Sequence, residues 1–318
     1  MQASGKNAGL GLALLSAFAF GGSGVAAKPL IEAGLDPLHM VWFRVAGAAL
    51  VLSPLAWRHR DLVRRKPALL AGFGLVAVAG VQAFYFASLS RIPVGVALLL
   101  EYLGPALLLG WIRFVQRKPV TKGAAAGAAV AVVGLACVVE IWAGLSLDLL
   151  GVLFGIAAAC CQAFYFIFAD QGADGDDVPD PLGVIVYGMI VGTLVVTVIA
   201  RPWEIDWQVL AGQASVGGTT LPAPVLLGWV VLIATVFAYL TGVVSVRKLS
   251  PQVAGVVACL EAVVATVLAW ILLGEHLSTW QIVGGGLVLG GAFIAQSSRP
   301  AAPAPAEPAV LDRETTTA

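Results

Sequence analysis

Two apolar stretches in opposite halves of the chain have nearly the same sequence: Gly95-Val-Ala-Leu-Leu-Leu-Glu101 and Gly255-Val-Val-Ala-Cys-Leu-Glu261. Each stretch ends in one carboxylate. A carboxylate inside an apolar helix is unfavourable in lipid, and such residues normally face the interior of a bundle or a water-filled path. Two of them at matching positions therefore predict one shared polar site, to which Glu101 and Glu261 both contribute. The alternative for each is a structural hydrogen bond to a neighbouring helix.

The composition is that of an integral membrane protein. Of the 318 residues 59% are hydrophobic and 11% are charged, whereas about 25% are charged in an ordinary soluble domain. The formal net charge of +0 provides no basic field of the kind that nucleic-acid binding needs. The cysteines lie in apolar segments and the histidines near segment ends. We therefore expect no nucleic-acid partner, no metal site and no cofactor.

Apolar segments divide the sequence into spans. A bilayer core about 30 Å thick takes roughly 20 residues of apolar helix, and on that scale the sequence predicts an all-α membrane protein with ten transmembrane helices. The expected ranges are 8–29, 38–57, 68–88, 92–115, 123–143, 149–169, 181–200, 224–246, 252–273 and 278–297. The segment 201–223 carries Trp203 and Trp207 among polar residues, which is typical of a stretch at the headgroup level.

Basic residues predict the orientation of these spans. Lys and Arg are concentrated at 58–66, 117–122 and 247–248. Short cytoplasmic loops hold the excess of basic residues, so we expect both termini in the cytoplasm, in a bacterial inner membrane. The Pro- and Ala-rich tail 299–318 is predicted to be disordered.

The two halves read as an internal repeat. Aligning Glu101 with Glu261 also matches Gly127 and Gly134 with Gly284 and Gly291. Residues 1–145 then hold five spans and residues 146–298 hold five more, and because five is odd the second copy is inverted. Inverted repeats are typical of secondary transporters, with the site near the midplane. Glu101 and Glu261 lie about nine residues into their spans, roughly 14 Å deep.

Small residues predict where helices pack closely. Gly123-Ala-Ala-Ala-Gly127 in span 5 and Gly286-Leu-Val-Leu-Gly290 in span 10 have glycines four residues apart. This spacing lets backbones approach each other in a membrane. Both stretches are interpreted as packing faces.

Other polar residues in the spans are candidates for the same site. Gln82-Ala-Phe-Tyr-Phe86 and Gln162-Ala-Phe-Tyr-Phe166 place an amide and a phenol three residues apart, on one helix face. Such groups suit a zwitterionic amino acid or a similar polar metabolite. The alternative is that Tyr85 and Tyr165 anchor at headgroups. Tyr239 is a further candidate.

Two basic residues also lie in apolar segments. Arg44 lies roughly 9 Å into span 2, and we favour a structural ion pair or a headgroup contact for it over binding of a substrate carboxylate. Lys28 lies near the outer end of span 1, where a snorkelling lysine is the preferred interpretation.

These residues resemble a known family. Leu249-Ser-Pro251, Leu260-Glu261 and the run Trp270 to Ser278 resemble the EamA family of ten-helix transporters, within the drug/metabolite transporter superfamily. Glu101-Tyr-Leu-Gly-Pro105, Arg117-Lys-Pro119, and Lys28-Pro-Leu30 with Arg44 resemble its threonine/homoserine exporter branch. The resemblance covers about residues 8 to 297. It implies a central cavity lined by spans 1, 3, 4, 6, 8 and 9, and it keeps Lys28 among the site candidates.

The chain departs from that family pattern at one point. Many relatives have proline directly after the glutamate in both halves, whereas Tyr102 and Ala262 stand there in this chain. We therefore expect the helix kink near Glu101 to move to Pro105, and no kink at Glu261. Tyr102, next to the first glutamate, joins the candidate set.

The expected function is secondary transport. We expect a transporter, monomeric or homodimeric, that exports a small polar, amino-acid-like metabolite by alternating access, with protons as candidate coupling ions. The alternatives are efflux of drugs or other organic cations, and a non-transporting receptor or assembly protein. The sequence has no ATP-binding Gly-x-x-x-x-Gly-Lys-Ser/Thr motif and no Ser/His or Asp/Asp pair at membrane depth, so we do not expect an enzyme.

Overall fold

Apolar helices make up most of the chain. The computed structural model describes residues 2–140, 142, 147–173, 179–246 and 251–298, without the side chains of 2–7, 165–173, 246, 251–258 and 296. The helices are α1 (Gln2–Glu32), α2 (Pro37–Arg58), α3 (Asp61–Arg65), α4 (Pro67–Gly72), α5 (Val81–Leu89), α6 (Val94–Glu101), α7 (Gly104–Gly110), α8 (Lys122–Val139), α9 (Leu149–Ala173), α10 (Pro181–Ala200), α11 (Trp207–Ala211), α12 (Ala223–Gly228), α13 (Ala238–Val246), α14 (Pro251–Leu268) and α15 (Thr279–Ser297). The predicted tail 299–318 lies outside the described residues.

The apolar helices coincide with the predicted spans. In the part of the chain that the structure describes, seven segments are long and apolar enough to cross a membrane: Ala8–Glu32, Pro37–Arg58, Pro67–Leu89, Val94–Val115, Lys122–Val139, Pro181–Ala200 and Ala223–Ser245. Three shorter apolar helical segments, Leu149–Phe164, Cys259–Leu273 and Thr279–Ala295, lie where the sequence predicts the other spans. The chain is therefore a multi-pass membrane protein.

Local sequence fixes several helix starts. The side chains of Asp36, Thr121 and Asp180 accept hydrogen bonds from the backbone N–H groups of Leu38, Ala124 and Leu182, in the first turns of α2, α8 and α10, over 2.8 Å, 3.2 Å and 2.8 Å. Pro37 and Pro181 occupy the first positions of their helices, where a missing N–H has no consequence. These caps hold the bundle ends in place.

The last helices of the two halves, α8 and α15, pack backbone against backbone. A Cβ at Gly127 would lie 2.5 Å from the backbone N of Ala295, and a Cβ at Gly134 would lie 2.6 Å from the backbone N of Val288. A Cβ at Gly284 would lie 2.6 Å from the carbonyl oxygen of Gly134. Because 127 faces 295 and 134 faces 288, the two helices are antiparallel. The glycines matched in the repeat alignment thus form one interface.

One predicted packing face is wrong. No described atom lies within 4 Å of a Cβ built on Gly286 or Gly290. The contacting face of α15 instead carries Gly284 and Gly291. Gly286 lies two residues beyond Gly284, about 200° further around the helix. The pair Gly286 and Gly290 therefore cannot lie on the same face as the pair Gly284 and Gly291. The spacing identified a close-packed helix but not its side.

Among the described residues, four stretches have π-helical hydrogen bonding, and they occur in pairs at matching places of the two halves. Phe73–Gly80 lies in the third span of the first half, and Trp229–Phe237 lies in the third span of the second. Trp111–Val115 and Ala269–Leu273 end the fourth span of each half. π-Helices are rare. Their recurrence at matching places is a structural repeat that the sequence did not predict.

The segment between α10 and α12 departs from the predicted all-α fold. After a 3₁₀ turn at Pro202–Glu204 and α11, strands β1 (Gln213–Val216) and β2 (Thr219–Pro222) form an antiparallel hairpin. Gly217 and Gly218 at its turn have positive φ values of 58° and 78°, which favour a tight hairpin connection. Trp203 and Trp207 are 69% and 62% exposed, as expected for indoles at the headgroup level.

The glycine interface gives a stability prediction. Gly134→Ala and Gly284→Ala should each lower stability by about 1–3 kcal/mol, because the added methyl meets backbone atoms that cannot move aside. Gly286→Ala and Gly290→Ala are matched controls on the open face of α15 and should leave stability unchanged or slightly raised. Thermal unfolding of the purified protein in detergent measures the difference. Equal midpoints in all four variants would contradict the packing.

Candidate functional site

Polar side chains from both halves surround a cavity within the bundle, which we call the chamber. Its volume is about 180 Å³. Seven of its nine lining residues were predicted from the sequence: Arg44, Gln82, Tyr85, Glu101, Gln162, Tyr239 and Glu261; the other two are Phe20 and Ser23. All six spans that the family resemblance implied contribute to the wall, and span 2 adds Arg44. The structure thus brings the two repeat glutamates to one site.

A break in the fourth span presents Glu101 to the chamber. Helix α6 ends at Glu101, Tyr102 and Leu103 form a turn, and α7 begins at Gly104. Pro105 has no N–H to donate to the carbonyl of Glu101, so the helix cannot run on unchanged. The sequence predicted a kink at Pro105, and the break lies two to three residues earlier, at Tyr102 and Leu103. Helix α14 continues through Glu261 without a break, as predicted.

Three glycines make room for the chamber wall. A Cβ at Gly24 would lie 2.5 Å from the hydroxyl oxygen of Tyr85, and a Cβ at Gly104 would lie 2.6 Å from Oε1 of Gln162. A Cβ at Gly21 would lie 2.9 Å from the carbonyl oxygen of Glu261. Larger residues at these positions would displace the polar groups, so the wall depends on the missing side chains.

Arg44 faces the chamber and has no ion pair among the described residues. Its side chain is 4% exposed. One guanidinium nitrogen donates to Oγ of Ser23 over 2.6 Å, and the guanidinium carbon lies 5.5 Å from the ring centroid of Phe86. The ion pair or headgroup contact favoured from the sequence does not match this geometry. The charge of Arg44 is instead held by a hydroxyl and an aromatic face.

The two carboxylates have long contacts to the protein. Nε2 of Gln162 lies 3.5 Å from Oε1 of Glu101, and the hydroxyl oxygen of Tyr102 lies 3.4 Å from Oε2 of Glu261. Both distances exceed those of strong hydrogen bonds to a carboxylate. Oxygens of both glutamates therefore remain available to a ligand in the chamber.

The remaining predicted candidates have separate outcomes. Tyr85 is 5% exposed and lines the chamber, so it is not a headgroup anchor. Tyr102 reaches the site through its contact with Glu261. Tyr165 lies in α9, but its side chain is outside the described residues.

A second cavity connects the chamber to one end of the bundle. This vestibule has a volume of about 390 Å³ and is lined mostly by apolar residues. It shares five lining residues with the chamber: Phe20, Gln82, Glu101, Gln162 and Tyr239. It extends to Pro181, at the start of α10. Asp180, the residue before Pro181, lies 3.7 Å from His59. The opening is therefore at the end of the bundle where α2 ends and the basic residues 58–66 follow. We call this end the basic end.

The opposite end, which carries the hairpin, holds a largely buried ion pair. Nζ of Lys28 lies 2.5 Å from Oε1 of Glu275 and donates to the carbonyl of Ile92 over 3.2 Å. The backbone N of Val94 donates to Oε2 of Glu275 over 2.8 Å. We call this set the Lys28–Glu275 clasp. The two side chains are 15% and 11% exposed, so the predicted snorkelling of Lys28 is wrong, and Lys28 does not line the chamber.

Sequence reasoning missed three residues of this arrangement. Ser23 lies in the small-residue run Gly21-Gly-Ser-Gly24. Such a run indicates that helices approach closely there, and it could have pointed to Ser23. Phe20 contacts Tyr239 edge to face, with ring centroids 4.9 Å apart. Glu275 lies in the run Trp270 to Ser278 that resembles the EamA family, but nothing in a single sequence pairs it with Lys28.

Apolar helices of membrane length around a polar chamber define the class: an integral membrane protein with an internal binding chamber. The chain belongs to the EamA-like transporter family, whose model matches residues 7–140 and again residues 149–296. The two halves are thus two EamA repeats. Members of this family are membrane transporters and not enzymes, and the same holds for this chain.

Individual relatives and one solved structure agree with the family. The chain is 26% identical to the threonine/homoserine exporter RhtA of Escherichia coli (strain K12) over 73% of this chain and 72% of the relative. It is 28% identical to the threonine/homoserine exporter RhtA of Salmonella typhimurium (strain SL1344) over 71% and 70%. A crystal structure with 18% identity matches 91% of this chain and 96% of its own, with a TM-score of 0.56, and supports the fold.

The vestibule gives a labelling prediction. In a variant without the four native cysteines, Ala77→Cys should react with a membrane-impermeant thiol reagent applied at the basic end, because Ala77 lines the vestibule. Ala79→Cys is the matched control two residues away, since Ala79 is 3% exposed, and should react at least about tenfold more slowly. Neither should react from the hairpin end. Equal rates for the two cysteines would contradict an open vestibule.

Proposed function

We propose that this protein is a secondary transporter that exports a small zwitterionic, amino-acid-like metabolite across a bacterial inner membrane by alternating access. The observation that carries the proposal is the chamber: one guanidinium and two carboxylates from both repeats line a cavity of about 180 Å³. It connects to the basic end through the vestibule, and the Lys28–Glu275 clasp closes the other end.

The charges of the chamber match an amino acid. Arg44 has one hydroxyl partner and no carboxylate within 4 Å among the described residues, so its fork of donors suits a substrate carboxylate. Glu101 and Glu261 supply the opposite charge for an ammonium group. The two relatives carry the name threonine/homoserine exporter, which makes L-threonine and L-homoserine the first substrates to test.

The polar chamber by itself is smaller than a site for a drug-sized ligand. Sites for drug-sized ligands occupy about 300–1,000 Å³, whereas the polar chamber offers about 180 Å³. A ligand much larger than an amino acid would have to extend into the mostly apolar vestibule. A receptor or assembly protein would bind such a ligand without moving it, and flux measurements separate that alternative.

The proposed topology has ten spans in two inverted halves, 1–145 and 146–298, with both termini in the cytoplasm. The antiparallel packing of α8 on α15 and the paired π-helical stretches support this topology. The basic end then faces the cytoplasm. In this orientation the vestibule admits substrate from the cytoplasm while the clasp closes the outer side, which is the loading state of an exporter.

The carboxylates give a transport prediction. In proteoliposomes, Glu101→Gln and Glu261→Gln should each reduce L-threonine counterflow at least about tenfold. Each substitution removes a carboxylate that pairs with the substrate ammonium or binds a coupling proton. Glu32→Gln, at an exposed position at the end of α1, is the matched control and should keep the parental rate. Unchanged flux with unchanged pH dependence in both chamber variants would overturn the assigned roles.

The clasp gives a gating prediction. Glu275→Gln leaves the buried ammonium of Lys28 without its counter-charge, which strongly destabilises a buried pair. The hairpin end should open more often, so that a cysteine replacing Tyr85 reacts faster with impermeant thiol reagent from that side. Asp148→Asn is the control, because it breaks the exposed Arg91–Asp148 pair, 3.6 Å long, at the same end. Equal labelling in both variants would argue against a gate at the clasp.

A further inference from the structure

Two buried amide oxygens beside the chamber have no hydrogen-bond donor in the described structure. They are Oε1 of Gln82 and Oε1 of Gln162. Both residues line the chamber, together with Glu101. Buried acceptors are normally paired, and an unpaired one in a native structure calls for a ligand or a water. Two of them in the same cavity as one carboxylate make a set of acceptors that a donor-rich group would satisfy.

The helices that carry these amides are held face to face. A Cβ on Gly80 would lie 3.0 Å from Sγ of Cys161. Gly80 lies two residues before Gln82, and Cys161 lies directly before Gln162. Nε2 of Gln162 is directed to Oε1 of Glu101, 3.5 Å away. Because Glu101 can only accept while ionised, this contact assigns the amide nitrogen to the carboxylate and leaves the amide oxygen for another donor.

The acceptors differ between the two glutamates. Glu261 lies 3.4 Å from the hydroxyl oxygen of Tyr102. Glu101 lies 3.5 Å from Nε2 of Gln162 and lines the chamber together with the two glutamines whose amide oxygens are unpaired. Arg44, the chamber's cation, already donates to Ser23. Two neutral acceptors without a donor thus line the same chamber as Glu101, whereas the guanidinium already has a hydroxyl partner.

We propose that Gln82, Gln162 and Glu101 form a subsite for a primary ammonium group and select primary amines over N-methylated ones. A primary ammonium has three N–H donors, which match one carboxylate and two amide oxygens. Each N-methyl group removes one donor and leaves one buried oxygen unpaired. This subsite deepens the proposed function and rests on it for the identity of the ligand, but binding alone tests it.

Equilibrium binding to the purified full chain tests the subsite without any substitution. The probes are L-threonine, N-methyl-L-threonine, L-homoserine and propylamine, measured by competition against radiolabelled L-threonine and by calorimetry. L-Threonine should bind at least about tenfold more tightly than its N-methyl derivative, the usual loss for a hydrogen bond to a charged group. Equal affinity of the two, or no binding of any probe, would overturn the proposal.

Isosteric substitutions assign the selectivity to the two amides. Gln82→Met and Gln162→Met keep the length of the side chain but remove the acceptor, and should bring the ratio of the two affinities close to one. Gln82→Glu keeps an acceptor and should retain the selectivity even if a methionine variant fails to fold. Gln208→Met, on the exposed surface of α11, is the matched control. A parental ratio in both methionine variants would overturn the subsite.

Transport and selectivity can fail separately. If the parent protein prefers L-threonine over its N-methyl derivative but shows no counterflow, the subsite stands and the transport proposal falls. If counterflow is present and N-methylation makes no difference to binding, the transport proposal stands and the subsite falls.

Discussion

The structure depends on placing one guanidinium and two carboxylates inside an apolar bundle. Removing an ionised group from water costs several kcal/mol even after the protein relaxes. Only pairing with an opposite charge or contact with water offsets that cost. Arg44, Glu101 and Glu261 line one cavity of about 180 Å³. The guanidinium therefore attracts both carboxylates across a short polar space, where the two carboxylates repel each other. Among the described residues none of the three forms an ion pair, and their pairing capacity remains available inside the cavity.

Glycine determines how closely the helices approach around these charges. At Gly21, Gly24 and Gly104 the missing Cβ admits a backbone carbonyl, a phenol or an amide of a neighbouring helix. At Gly134 and Gly284 it admits the backbone of the partner helix, which joins the last spans of the two repeats. The first group shapes the chamber and the second holds the scaffold. Their cost in helix propensity, about 1 kcal/mol each, is offset by packing.

Sequence patterns predicted the elements that depend on periodicity and charge, and missed those that depend on packing. Glu101 and Glu261 were assigned to one site because buried carboxylates need a polar environment. The side of α15 that packs, the partner of Lys28 and the π-helical stretches depend on contacts between distant residues, which one sequence does not report. The hairpin at 213–222 was missed because short strands next to indoles resemble an interfacial segment.

The charge of the chamber connects substrate binding to proton coupling in the proposed cycle. With Arg44, Glu101 and Glu261 ionised, the chamber carries one net negative charge, and a zwitterion does not change that sum. A proton on either glutamate brings the loaded chamber to neutrality. Because an uncompensated charge is unfavourable when both ends are closed and water is excluded, the occluded state favours zwitterion and proton together. A zwitterion alone requires only one carboxylate in the chamber. In the proposed cycle the second carboxylate carries the proton.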